Sequence, residues 1–137
     1  MHDKIVLDSC IIAAIFLPET ITGKAINTAA EHDCITVDLA YTEVANAAWK
    51  RAVHAGLDPE SVKVFLDNAI AFIQETCEVI PAHELITPAW ALSCYHRITI
   101  YDALFVAAAI RCNVPLVTAD ARLARAVSKT CPVIYLE

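Results

Sequence analysis

The sequence predicts a three-layer α/β/α fold built on a parallel sheet of about five strands. Short apolar runs alternate with longer stretches of helical periodicity, the pattern of a chain that crosses repeatedly from strand to parallel strand. Apolar residues make up 58% of the 137 residues and glycine occurs only twice, which excludes a disordered chain. The first apolar run, residues 4–7, delivers an acid, Asp8, to its carboxyl end, the edge at which open α/β sheets bind ligands. A length of 137 residues fits one domain, residues 1–137, with a full core.

Each element has a local reason. After the first strand, Ser9 can cap a helix over residues 9–17, which Pro18 ends. Residues 20–31 place Ile21, Ala25 and Ala29 four apart, as on one helix face. Residues 34–37, between Asp33 and Asp38, read as the second strand. A helix over residues 39–55 ends at Gly56. Its apolar face is Val44, Ala45, Ala48 and Ala52, and Glu43, Asn46 and Lys50 form one polar stripe. Asp58-Pro59 supplies a cap and a first helical residue for a helix with a wide stripe of Val62, Phe65, Leu66, Ala69, Ile70 and Ile73. That stripe suits core, a dimer surface or a partner. Residues 77–80 form the third strand, and a helix before His96 starts or kinks at Thr87-Pro88. Residues 101–112 are apolar all round, Ala103 to Ile110, and predict a buried helix. A strand at 115–118, a helix at 120–128 and a closing strand at 133–136 complete the chain.

Composition excludes several function classes. Gly23 and Gly56 cannot build a dinucleotide or nucleotide phosphate loop. No apolar run approaches the roughly 18 residues of a membrane span, and Asp8 interrupts any leader, so a soluble, cytoplasmic protein is expected. The six cysteines lack Cys-x-x-Cys pairs and lie among apolar neighbours, as buried thiols do; disulfides are expected only from a hyperthermophilic source. The five histidines lack zinc-site spacing. The net charge of −6 argues against broad duplex binding, but leaves room for a few basic residues beside a metal to hold a single strand.

Four acids stand out by position. Asp8 and Asp120 follow strands, Asp102 opens the apolar helix, and Glu43 lies in the first turns of its helix. Helix capping explains Asp102, through Thr99-x-x-Asp102, and Asp120 when each is taken alone. It does not explain Glu43. If the four meet at one sheet edge, bare charges ~4 Å apart repel by about 4 kcal/mol at an effective dielectric near 20. Such a group requires protons or a cation, and all-oxygen donors suit Mg²⁺ or Mn²⁺.

Asp8-Ser9, Glu43 with Asn46, Tyr101-Asp102-Ala103 and Thr118-x-Asp120, in this order over the whole chain, resemble the PIN domain and, within it, the VapC-type toxins of toxin–antitoxin pairs. The resemblance implies strand order 3-2-1-4-5 with the first strand central. It implies a Mg²⁺- or Mn²⁺-dependent ribonuclease in which Asp8, Glu43, Asp102 and Asp120 are catalytic and bind metal. Ser9, Asn46 and Thr118 would support them. Water would attack a backbone phosphate in line and leave a 5′-phosphate. A homodimer and a cognate antitoxin are the implied partners beside RNA. Cys10 departs from the small hydroxyl or amide residue of many members, which bears on a supporting hydrogen bond and not on the metal site. Lys50, Arg97 and Arg122 are the candidate substrate-binding residues, with solvated surface charge as the plain alternative.

Other readings of an acid after the first strand fail on residues. A haloacid-dehalogenase-type phosphatase needs a second acid where Cys10 stands, and a receiver domain needs an aspartate after the third strand. A PIN-like module that binds RNA or protein without cutting it is the alternative function; it gives no reason to keep four acids.

Overall fold

The computed structural model describes residues 2–137. Five parallel strands lie in the order β3-β2-β1-β4-β5: β1 Lys4–Leu7, β2 Asp33–Val37, β3 Glu78–Ile80, β4 Leu116–Thr118 and β5 Val133–Tyr135. The expected order and central first strand are observed. Seven helices connect them among the described residues: α1 Ser9–Phe16, α2 Thr22–Ala30, α3 Leu39–Val53, α4 Pro59–Glu75, α5 Ile86–His96, α6 Ile100–Cys112 and α7 Ala121–Val127. All predicted segments fall within two residues of these bounds.

Helix α1 packs on β1 and on α2, α3 and α4, whereas α6 packs on β1, β2, β4 and α5. Right-handed crossovers account for this division. Connections running from β1 towards β3 put their helices on one face, and those running back to β4 and β5 put theirs on the other. The direction of winding reverses between β1 and β4, whose pairing sets Val6 beside Leu116 and Leu7 beside Val117. This is the crevice where an open α/β sheet receives a ligand.

Local chemistry explains the elements. Ile5, Val6 and Leu7 are at most 1% exposed, so β1 is buried on both faces, as a central strand must be. Asp58 accepts from the Ser61 N–H at 3.2 Å, with Pro59 as the first helical residue. Gly56, just beyond α3, has φ +70°, which only glycine adopts without strain. Pro88 sits in the first turn of α5, where its missing N–H costs nothing. Among the described residues no helix is long and apolar enough to cross a membrane.

Two expectations need correction, and one left open divides. Helix α6 is buried over Ala103–Ala109, but Ile110 is 44% exposed, because it faces a surface groove shared with Pro88, Ala91 and Leu92 of α5. Cys94 is exposed, so the six thiols are not uniformly buried. The α4 stripe is core at Val62, Ala69 and Ile73, while Phe65, at its edge, is 37% exposed.

Candidate active site

The β1–β4 crevice is lined by the first turns of several helices. Asp8 leaves β1 at the N-cap position of α1, Asp120 leaves β4 at that of α7, and Asp102 lies in the first turn of α6. Glu43 lies one turn into α3. Helix amino ends carry partial positive charge, worth roughly 0.3–1 kcal/mol to a nearby carboxylate. That is small against the mutual repulsion of four acids.

Asp8 is the most deeply set, at 5% exposure. Its Oδ2 accepts from the Thr118 hydroxyl at 2.7 Å and from the Cys10 thiol at 3.4 Å. Burial pushes its carboxyl up to about 6, with the charges of Asp102 and Glu43 adding to the rise and the Thr118 bond opposing it. Thr118 is itself fully buried and also accepts from the Asp120 N–H at 3.1 Å. One hydroxyl thus ties the carboxyl ends of β1 and β4 together.

Glu43 accepts from the Ser9 hydroxyl at 2.8 Å. Partial burial raises its carboxyl, Asp102 adds to the rise and the Ser9 bond opposes it. Asp102 is also raised by burial, then by the charge of Asp120, with Thr99 opposing. The four acids therefore form an electrostatic chain from Glu43 through Asp8 and Asp102 to Asp120. None is ion-paired with a basic side chain among the described residues.

The capping interpretations divide. Asp120 does cap α7, its Oδ1 accepting from the N–H groups of Arg122 and Leu123 at 3.0 and 3.1 Å. One half of the Thr99-x-x-Asp102 box is formed: Thr99 caps α6, accepting the Asp102 N–H at 3.1 Å. Ser9 does not cap α1: Asp8 holds the cap position without a side-chain bond, and the Ser9 hydroxyl turns to Glu43 instead. Ser9 is the first helical residue, one past the cap position, and its hydroxyl is free to donate a charge-assisted bond to Glu43.

Cys10 retains the supporting role that its departure from the family pattern put in question. Its thiol donates to Asp8, lies 3.7 Å from the Thr118 hydroxyl, and accepts the Ala119 N–H at 3.4 Å. Sequence reasoning missed this role. The available signal was its place in the first turn of α1, whose side chains lean back towards the amino end.

Two clefts flank the acids. One, about 520 Å³, is lined by Ser9, Cys10, Glu43, Asn46, Lys50 and Tyr101 among others. The other, about 300 Å³, includes His96, Arg97, Thr99, Asp102, Asp120 and Arg122. Lys50 lies on one side of the acids, and Arg97 and Arg122 on the other. Arg97 ends α5 with φ 57° and ψ 42°, a left-handed conformation. Tyr101, which precedes Asp102 in the Tyr101-Asp102-Ala103 motif, is 56% exposed at the first cleft.

The donor set suits a hard cation in kind: carboxylate oxygens, unpaired by basic groups, with Glu43 Oε2 and Asp120 Oδ2 taking no hydrogen bond from the described residues. Among those residues no three His, Cys, Asp or Glu side chains are gathered into a ready ligand shell. The four acids are thus near enough to raise one another's proton affinity without being gathered into one shell. Mg²⁺ does not need such a shell, since it keeps several waters and takes one or two carboxylates together with substrate phosphates.

A model of the PIN domain family matches residues 5–129. Ribonuclease VapC3 of Pyrobaculum aerophilum is 34% identical over 122 residues, spanning 88% of this chain and 92% of that protein. The crystal structure of PAE2754 from Pyrobaculum aerophilum has the same fold, with a TM-score of 0.69 and 20% identity over 97% of this chain and 92% of that one. That of VapBC2 from Rickettsia felis, bound to a DNA fragment from their promoter, gives 0.67 and 17% over 98% and 99%. The family match spans the acidic edge from Asp8 to Asp120, and on that match, joined by the VapC3 likeness, the chain belongs to the PIN domain family.

Proposed function

We propose that this chain is a VapC-type ribonuclease, the toxin of a toxin–antitoxin pair, working as one domain in the cytoplasm. The carrying observation is an edge of four acids without basic partners among the described residues, at the sheet's switch point, in a chain one-third identical to a named ribonuclease. Asp8, Glu43, Asp102 and Asp120 are the catalytic acids and would hold a Mg²⁺ or Mn²⁺ ion. That ion supplies positive charge at a phosphate and lowers the pKa of a water.

The chain's own residues orient and grip. Thr118 and Cys10 fix Asp8, and Ser9 fixes Glu43. Asn46, one turn beyond Glu43 on α3, faces the first cleft and orients Glu43 or the substrate. Lys50 on one side and Arg97 and Arg122 on the other neutralise phosphates of an RNA strand laid across the acids. Hydrolysis leaves a 5′-phosphate.

An antitoxin and a second copy of the chain are the protein partners. Exposed Trp49, Val53, Leu57, Val64 and Phe65 on and around α3 and α4, and Ile86, Trp90 and Tyr95 on α5, support apolar contacts of this kind.

The test is RNA cleavage by the purified protein with Mg²⁺ or Mn²⁺, with and without a chelator. Cleavage that stops on chelation is expected. Cleavage that survives chelation overturns the metal role, and failure on a broad RNA panel with the ion present overturns the ribonuclease.

A further inference from the structure

The opposite edge of the sheet holds two thiols that the acidic edge does not use. Strands β2 and β3 pair in parallel with Ile35 beside Glu78 and Thr36 beside Val79. One step earlier in the same register stand Cys34, the second residue of β2, and Cys77, immediately before β3. Neighbouring strands lie about 4.8 Å apart, and a disulfide needs Cα atoms roughly 4.4–6.8 Å apart. The register alone brings the pair within reach.

The two side chains also share a face, because residues opposite one another in a sheet project the same way. The Cys34 thiol donates to the carbonyls of Ala29 and His32 at 3.6 and 3.8 Å, and so points towards α2. Cys77 follows α4, its N–H bonded to the Phe72 carbonyl at 3.3 Å, and so lies on the same layer. Glu78, the next residue, influences Cys112 of α6 on the other face. The alternation along β3 therefore turns Cys77 towards Cys34.

We propose that Cys34 and Cys77 form an intrachain disulfide, made by exchange with a small-molecule disulfide. Both cysteines are free thiols in the structure. Cys77 is half-buried and Cys34 is 5% exposed, beside a cleft of about 200 Å³ lined by His32, Asp33, Thr76 and Glu78. The Cys77 thiolate attacks the small disulfide, forming a mixed disulfide and expelling one small thiol. The Cys34 sulfur then attacks the Cys77 sulfur of that mixed disulfide and expels the second. Two protein thiols are oxidised, one disulfide is reduced to two thiols, and the protein's two protons pass to the products.

Burial pushes Cys77 up to about 12, with the neighbouring Cys34 adding to it, and Cys34 up to about 11. Such thiols exchange slowly and are poor leaving groups, which makes the bridge a lasting staple and not a fast sensor. It would close the chain segment that carries α3 and α4, and with them Glu43, Asn46 and Lys50, while lying at the amino ends of the strands. The inference is independent of the proposed ribonuclease.

The test uses the whole chain incubated with oxidised glutathione, then peptide mapping without reduction and thermal unfolding. A linked peptide joining Cys34 to Cys77 is expected, with Tm raised by roughly 5 °C or more and restored by dithiothreitol. Cys34→Ser and Cys77→Ser should each remove both the link and the rise. Glutathione retained on Cys77, two unreacted thiols after prolonged incubation, or a link to a different cysteine would each overturn the proposal. If either serine variant fails to fold, mapping and Tm on the unmodified sequence still decide it.

Discussion

Replacing Asp8 by asparagine separates the energetic cost of the site from its chemistry. The carboxyl is 5% exposed and is raised from the ordinary 3.8 to about 6, chiefly by burial. Each tenfold change in proton affinity is worth roughly 1.4 kcal/mol, so holding this charge costs the folded state about 3 kcal/mol at neutral pH. The sign follows from an acid whose folded pKa is raised. The penalty is absent below about pH 3.8, grows between 3.8 and about 6, and is complete above. Asparagine keeps an acceptor for the Thr118 hydroxyl and carries no charge. Without a divalent ion, Asp8→Asn should therefore be more stable than the parent by about 1–3 kcal/mol at pH 7.5, the lower figure allowing for imperfect hydrogen bonding. The difference should vanish towards pH 3.5, and RNA cleavage should be lost at every pH. Urea denaturation at the two pH values, in the presence of a chelator, reads the difference. A variant less stable than the parent at pH 7.5, or a gain that persists at pH 3.5, would refute the desolvation argument and leave Asp8 a structural residue.

Three further outcomes are expected. Thr118→Val leaves Asp8 with only the thiol and a long Ser9 contact, and should cost about 1–3 kcal/mol in denaturation as well as most of the activity; an active variant would mean that Thr118 does not hold the acid. Arg97→Gly relieves a left-handed backbone and should gain up to about 1 kcal/mol, while raising KM for RNA several-fold with little change in kcat. An unchanged KM would return Arg97 to the solvated surface. Phe105→Ala, at a fully buried ring in α6, should cost about 3–5 kcal/mol, and a loss under 1 kcal/mol would show that the site collapses around the deletion.

The architecture was legible because its signals are local. Apolar runs, Gly56 and Asp58-Pro59 mark their own boundaries, and parallel crossovers then leave few arrangements. The four acids were legible as positions in the chain, since strand ends and helix starts share an edge in any such sheet. Their side-chain partners were not. Whether Ser9 bonds to a backbone amide or to Glu43, 34 residues away, depends on how α3 packs against α1, which no local pattern encodes. Cys10 appeared as a deviation for the same reason: its geometry depends on Thr118, 108 residues distant. Ile110 continues the apolar run of α6 but faces the groove beside α5, and a helix apolar all round cannot say which of its side chains faces out.

The single hydroxyl of Thr118, bonded to Asp8 and to the Asp120 amide, has a consequence for how the protein can be silenced. It joins the deepest acid to the central strand pair, whose residues are almost wholly buried. Amides of such strands open to solvent only when the whole molecule unfolds. Fluctuation of a loop therefore leaves this end of the site in place. A site mounted in this way keeps Asp8 and the Asp120 amide in register whenever the chain is folded, so that only the ion and the substrate remain to be supplied. On the proposed function, restraint would then come from outside, through a partner laid over the clefts, and the lifetime of that partner would set the timing of release.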